Sequence, residues 1–457
     1  MARVVLPCER FGTGLPRRSV LSLGAAGLAG LPLAFGLPAP AAEIVSAANR
    51  DGRTTSGNGT ACILFWMAGG PSHIDLWDMK PDAPAEVRGP FGSIATNLDG
   101  FRVNELMPGH TRIADRLAIV RSLTHSLAEH DDASHWVQTG YPQLQARQSG
   151  QKHPCEGSVV AKLRGSNRPG VPGYACIPED YASHMGFYQG PAFLGSRYRA
   201  VNAGGDPALG NYRPPEFQPQ KDVTDSRLAA RKSLLDAVDP EAAQAVGTKN
   251  LEIARQQALE LVGGQASRAL FDATREPASV RDRYGRHAYG HAALMARRLV
   301  EGGVTFVTIN LYEKDVDWWD DHFVIEKNLR KRLPAFDQAF STLIEDLTER
   351  GLLDRVLVAA YGEFGRGPRI DSHAGRSHWP RAFSAVLAGG GLKTGQIIGA
   401  TTSDGGEVRD NALRPGDLLA TLYHTLGIDP HQMVTDRLDR PVPLLPEGRP
   451  IRELVPA

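Results

Sequence analysis

ACILFWMAGGPSHID (Ala61–Asp75) runs apolar for several residues and then breaks, across two glycines, into serine, histidine and aspartate. Three other stretches follow the same plan: RLAIVRSLTH (Arg116–His125), VTFVTIN leading on to DWWDDH (Val304–His322), and RVLVAAYGEFGR (Arg355–Arg366). Apolar runs of this kind, with no polar face, read as strands buried on both sides in an open parallel sheet. Ligands of such sheets bind in the crevice beyond the carboxyl ends of the strands. The polar tails are therefore expected to meet in one crevice, gathering His73, Asp75, His125, Asp320, His322 and Glu363.

Between these strands the periodicity becomes helical. HAALMARRLVEGG (His291–Gly303) is an amphipathic segment that ends on a glycine pair and feeds the strand beginning at Val304. Leu329–Gly351 does the same for Val356–Ala360, and this alternation marks right-handed βαβ units. Ala382–Leu387 reads as a fifth strand, Met107–Arg116 as a short helix and Asp417–Gly427 as a terminal helix. The fold class expected is α/β, a mostly parallel sheet flanked by helices. Leu144–Gln218 is rich in Gly, Pro, Tyr and Asn and reads as binding walls over the scaffold. Residues 223–280 carry Ala, Leu, Glu, Gln and Arg at helical spacing, as in Leu251, Ala254, Ala258 and Leu261, and read as a small helical insertion.

The N-terminal 41 residues read as an export peptide rather than as part of the fold. Arg17-Arg18 precedes a weakly apolar, Gly- and Ala-rich run that ends in Ala39-Pro40-Ala41, the pattern of a cleaved twin-arginine signal. The expectation is a periplasmic or extracytoplasmic protein with no stable membrane insertion after cleavage. A lead-in (42–60) and a single α/β domain (61–457) would follow. The 457-residue chain has 51 basic and 51 acidic side chains, so there is no electrostatic case for nucleic acid as a partner. Of its 4 cysteines, Cys8 leaves with the export peptide and Cys62 sits inside a strand as a core thiol. Cys155 and Cys176 are placed where a disulfide could form in an oxidising compartment.

The polar segments carry the chemistry. Gly69 and Gly70 let the backbone turn sharply ahead of His73 and Asp75. THSLAEHDDASHWVQTGYP (Thr124–Pro142) supplies His125, His130 and His135, with His130 and Ser134 on one face if the segment is helical. DWWDDHF (Asp317–Phe323) offers Asp320, Asp321 and His322. GEFGRGPRIDSHAGRSHWP (Gly362–Pro380) adds Glu363, His373 and His378, with Arg366 and Arg376 able to bind an oxyanion in bidentate fashion. The candidate metal ligands are His73, Asp75, Asp320, His322, Glu363 and His378. Oxygen and nitrogen donors without thiolate suit a divalent ion such as zinc, manganese, calcium or magnesium.

These blocks in this order resemble the bacterial domain-of-unknown-function family 1501, exported proteins placed in the alkaline-phosphatase/sulfatase-like superfamily. The resemblance rests on GGPSHID, TGYP, YGRHAYGHAALMARRLVEGGVTFV, WDDH, GEFGRGP, GRSHWP and RPGDLLATLYHTLGID. It implies a sulfatase-like α/β fold with metal at the strand ends. The substrate would be a small-molecule or polysaccharide phosphate or sulfate ester. In sulfatases the nucleophile precedes the TG-x-Y-P glycine by ten residues, and the same count from Gly140 reaches His130. His130 is thus the expected catalytic side chain, as nucleophile or general acid/base, with Arg366 and Arg376 on the anion. Where sulfatases carry an aspartate pair after the first strand, this chain has Gly69-Gly70. The alternative that follows is a catalytically degenerate protein that binds an anionic polysaccharide.

Overall fold

The six residues of β1 (Ala61–Trp66) are all buried, because both of their faces meet protein. Ala61, Ile63 and Phe65 point into one apolar layer, and Cys62, Leu64 and Trp66 into another. The computed structural model describes residues 59–181, 186–204, 226, 227, 230, 269–310 and 318–455. The export segment, nearly all of the lead-in and most of the 223–280 insertion lie outside these residues. At the end of that insertion lie a short turn, Ala273–Arg275, and a helix, Ala278–Tyr284.

β1 is the centre of an eight-stranded sheet. Its other strands are β2 (Leu117–Leu123), β3 (Tyr174–Ile177), β4 (Val201–Asn202), β5 (Phe306–Asn310), β6 (Val356–Tyr361), β7 (Phe383–Gly389) and β8 (Gln396–Ile398). Their order across the sheet is β8-β2-β7-β6-β1-β5-β3-β4. β1 pairs in parallel with β5, Cys62 opposite Phe306, and with β6, Cys62 opposite Leu357. Only β7 runs against the others, pairing antiparallel with β2 and β6. The sheet is therefore mostly parallel, as the apolar runs imply.

The helices cover both faces. On one side α3 (Ala288–Glu301) and α4 (Ile325–Glu349) pack on the layer of Phe65, whose ring lies edge-on to Phe340 at 5.3 Å. On the other side lie α1 (His130–Thr139), α2 (Glu156–Leu163) and α5 (Pro415–Thr425), whose apolar residues include Val137, Val159 and Leu419. α5 starts two residues ahead of the expected Asp417. Pro415 occupies the first helical position, where its missing N–H costs nothing, and the Asp417 carboxylate accepts the Arg414 N–H at 2.8 Å.

Two expectations change. β3 and α2 fall inside the loop-rich stretch read as binding walls, and β3 is only four residues long, too short for a periodic signal. Cys155 and Cys176 are both buried and free, as is Cys62. Cys155 caps α2, and Cys176 lies on β3 with its Sγ 3.3 Å from the Tyr174 hydroxyl.

Glu156, the first residue of α2, is buried and its Oε2 has no hydrogen-bond partner. Burial pushes its carboxyl from 4.5 up to about 8, against a smaller opposing pull from its own backbone N–H. Between those two values the folded chain holds a proton that the unfolded chain has released. Stability therefore falls as pH rises through the window, by at most about 1.4 kcal/mol per unit. Thermal melts of Glu156→Gln should show a gain over wild type that grows from the acid to the alkaline end of the window. A gain that does not vary with pH would contradict the buried-carboxyl account.

Candidate metal centre

Loops leaving the carboxyl ends of β1, β5 and β6 meet the start of α1, which follows β2. β7 enters the same edge from the opposite direction, and the His125 N–H donates to the Pro380 carbonyl at 2.9 Å. Gly69 and Gly70 leave β1 with φ of +103° and +78°. A Cβ on Gly69 would lie 2.5 Å from the Asp320 nitrogen, and one on Gly70 2.4 Å from the Phe364 ring. Only glycine lets the three loops approach this closely.

Within this junction His130, Asp320, His322 and His378 bring one ligand atom each to within 4.8 Å of one another. His322 Nε2 lies 2.8 Å from His378 Nε2 and 3.1 Å from Asp320 Oδ1. His378 Nε2 is 3.4 Å from Asp320 Oδ1, and His130 Nε2 is 3.3 Å from Asp320 Oδ2. His378 is presented by a short ribbon in which Gly365–Arg366 pairs with His378–Trp379. The side chains of His322, Asp320 and His378 are 35%, 24% and 20% exposed, so one side of the cluster opens to solvent.

The partners behind the cluster orient it. His130 donates Nδ1–H to Glu363 Oε1 at 2.6 Å, and the Glu363 carboxylate also accepts the Gly69 N–H at 2.9 Å. His378 donates Nδ1–H to the Ala128 carbonyl at 2.7 Å. In the neutral rings both Nε2 atoms therefore carry the lone pair, directed at the other ligands. His130 Nε2 is buried and, although near Asp320, makes no hydrogen bond. Burial works against charge on His130, but Asp320 and Glu363 outweigh it and push its pKa up to about 9. Burial would raise Asp320, yet the His130 and His378 imidazoles close beside it and the Arg366 charge hold it well below the usual carboxylate range. The pocket is one that stabilises a cation, whether a proton or a metal ion.

Not every expected site residue joins this group. His73 lies in the single turn His73–Leu76 and donates Nε2–H to the Gly405 carbonyl at 2.8 Å. Asp75 is fully buried against Arg376, 2.7 Å from its Nε. Arg376 turns the rest of its guanidinium on the carbonyls of Gly367, Pro368 and Val87. Arg366 is also fully buried, donating to Gly70 O at 2.9 Å, Arg376 O at 3.0 Å, Gly69 O and Asp320 Oδ1. Both arginines, expected to contact an anionic substrate, thus brace the loops with donors already engaged. Glu363 stands behind His130 rather than beside Asp320. His125 donates Nε2–H to the Glu363 carbonyl at 2.6 Å, and burial drops its pKa to about 4. His130, expected as the catalytic side chain, lies within this four-residue cluster. Asp321, one residue from the cluster, accepts from Arg332 of α4 at 2.9 Å and anchors the loop from beneath.

The family profile described as "Protein of unknown function (DUF1501)" matches residues 59–455. The chain belongs to this family. No curated protein matches the sequence. Among solved structures, this DUF1501 chain is similar to the PsFucS1 sulfatase from Pseudoalteromonas sp., with 12% identity and a TM-score of 0.36 over 81% of this chain and 68% of that one. It is similar to the lipoteichoic acid synthase LtaP from Listeria monocytogenes, with 10% identity and a TM-score of 0.33 over 82% and 73%. The phosphonate monoester hydrolase of Agrobacterium radiobacter gives 13% identity and a TM-score of 0.32 over 80% and 74%.

If Asp75 serves Arg376 rather than an ion, Asp75→Asn strands a buried guanidinium and should destabilise the chain by about 3–5 kcal/mol. Denaturant unfolding measures this, with bound metal assayed in parallel. Loss of metal at unchanged stability would return Asp75 to the ligand set.

Proposed function

We propose that the chain is an exported, metal-dependent hydrolase of phosphate or sulfate esters. The observation that carries this reading is the half-open cluster of His130, Asp320, His322 and His378, with the buried His130 Nε2 aimed into it and no hydrogen bond satisfying it. A divalent ion fits that donor set, held by these four side chains. When bound, it would supply Lewis-acid charge to the ester's anionic oxygen, which would have to enter from the open side as a fifth ligand because four protein donors fill a tetrahedral shell.

The chain's own residues do the rest. Glu363 keeps the His130 ring turned inward, Ala128 O does the same for His378, and Arg366 keeps Asp320 ionised. His322 and His378 line the open side, where an anionic group would approach. Water is excluded from the back of the site by the Phe364 ring, 5.1 Å from His130 and 4.7 Å from His378.

Export through the twin-arginine route is supported by Arg17-Arg18 and the weakly apolar run behind them. No helix of the described residues is long and apolar enough to cross a membrane. Converting both arginines to lysine should leave the precursor in the cytoplasm, and normal export of that variant would sink the assignment.

One observation favours a second reading. Both buried arginines are engaged within the protein, which leaves the anion without the clamp expected from sequence. A binding protein for a sulfated or phosphorylated polysaccharide would need only the ion. Purified protein should be assayed on aryl phosphate, phosphonate and sulfate esters, before and after chelation. The hydrolase reading expects turnover that chelation abolishes and metal restores. It expects His322→Ala to lower kcat/KM beyond the roughly 100-fold upper range for partners outside the ligand shell. Metal-loaded protein that cleaves none of these esters yet retains a sulfated polysaccharide supports the second reading.

A further inference from the structure

The donor chemistry allows a narrower statement about the ion, which rests on the metal-dependent reading of this site. We infer that the cluster is built for one ion of the zinc class, held by three imidazole nitrogens and one carboxylate oxygen. Glu363 is the positioning residue for His130.

Three features of the site converge on this. The first is the donor set, three nitrogens and one carboxylate. Calcium takes about 6–8 oxygen ligands, and magnesium an octahedron of oxygens with retained water. Imidazole nitrogens suit zinc and its borderline neighbours.

The second is size. Four ligands about 2.0–2.1 Å from a tetrahedral zinc stand about 3.3 Å from one another. His322 and His378 Nε2 lie 2.8 Å apart and 3.1 Å and 3.4 Å from Asp320 Oδ1. His130 Nε2 lies 3.3 Å from the other carboxylate oxygen, Oδ2, and one ligand atom from each of the four falls within 4.8 Å of the rest. A calcium shell of about 6–8 oxygens needs more donors, and of another kind, than this corner supplies.

The third is the layer behind the ligands. His130 gives its Nδ1–H to Glu363 at 2.6 Å, and His378 gives its own to the Ala128 carbonyl at 2.7 Å. A carboxylate or carbonyl on the far nitrogen fixes the tautomer and raises the basicity of the near one, the arrangement that metal-bound histidines adopt. Glu363 is itself fixed by the Gly69 N–H at 2.9 Å and is fully buried, so the His130 ring has one orientation. His130 is only 7% exposed, and its inward nitrogen is left unbonded by the protein. Within the four, His130 is therefore a ligand, and the nucleophile in any ester cleavage comes from outside its ring.

The test uses the mature, full-length chain, stripped by chelation and then dialysed against Zn²⁺, Ca²⁺ or Mg²⁺ alone, with content read by elemental analysis. Co²⁺ serves as the spectroscopic probe. The inference expects one Zn²⁺ per chain, undisturbed by excess Ca²⁺ or Mg²⁺, and an intense visible Co²⁺ absorption of a four-coordinate site. His322→Ala and His378→Gln should each abolish retention and bleach that band. Glu363→Gln should weaken Zn²⁺ affinity about 10–100-fold and shift the band, at unchanged circular dichroism. If Glu363→Gln lowers the melting temperature of stripped and loaded protein equally with Zn²⁺ affinity unmoved, its role is structural and the inference fails. It also fails if Ca²⁺ or Mg²⁺ displaces Zn²⁺, or if His322→Ala and His378→Gln both keep the ion. Chelation-sensitive hydrolysis sustained by Mg²⁺ but not Zn²⁺ overturns this inference alone. One bound Zn²⁺ with the expected spectrum but no hydrolysis of any ester overturns the hydrolase reading and leaves this one standing.

Discussion

The site depends on one buried guanidinium. Arg366 sits at the meeting point of three loops, holding the carbonyls of Gly69 and Gly70 after β1 and of Arg376 beyond β6. With its remaining reach it holds Asp320 after β5. A fully desolvated cation is tolerated only where every near neighbour is an acceptor, and here backbone carbonyls and one carboxylate supply that shell. The consequence is mechanical as much as electrostatic. Asp320 cannot swing away, so its two oxygens face His130 on one side and His322 with His378 on the other.

A second and a third ion pair extend the brace outward. Arg376 clasps Asp75 while its own carbonyl accepts from Arg366, and its N–H donates to the Asp321 carbonyl at 3.0 Å. Asp321 in turn pairs with Arg332, which also lies over the Trp319 ring at 4.6 Å. Charge is thus buried in balanced pairs beneath the cluster, whereas the cluster itself concentrates three imidazoles around one carboxylate. That imbalance, together with exposure on one side only, sets this candidate ligand site apart from the structural pairs that support it.

β1, β2, β5 and β6 are legible in the sequence, because each is a long apolar run with an abrupt polar end. Short strands such as β3 and β8 carry no such signal, since three or four residues do not establish a period. Asp320, His322 and His378 were legible as candidate ligands by their residue type and place. The functions of Asp75, Arg366 and Arg376 were not, because sequence does not report burial. A glycine-rich segment with arginines reads as an exposed anion loop until the fold closes over it. Nor could spacing separate His125, His130 and His135. His130 opens α1 and looks into the crevice, while His125 and His135 give their Nε2 and Nδ1 to backbone carbonyls at 2.6 Å and 2.8 Å. Only the position of the helix start decides among them.

The central claim is that this brace sets three imidazoles and one carboxylate around a single small ion. X-ray absorption at the zinc edge of the loaded protein tests it most directly. The account predicts a shell of four light atoms at about 2.0–2.1 Å, with the outer-shell scattering of three imidazole rings. A shell of six or more oxygens at longer distance, or a spectrum without imidazole scattering, would contradict it.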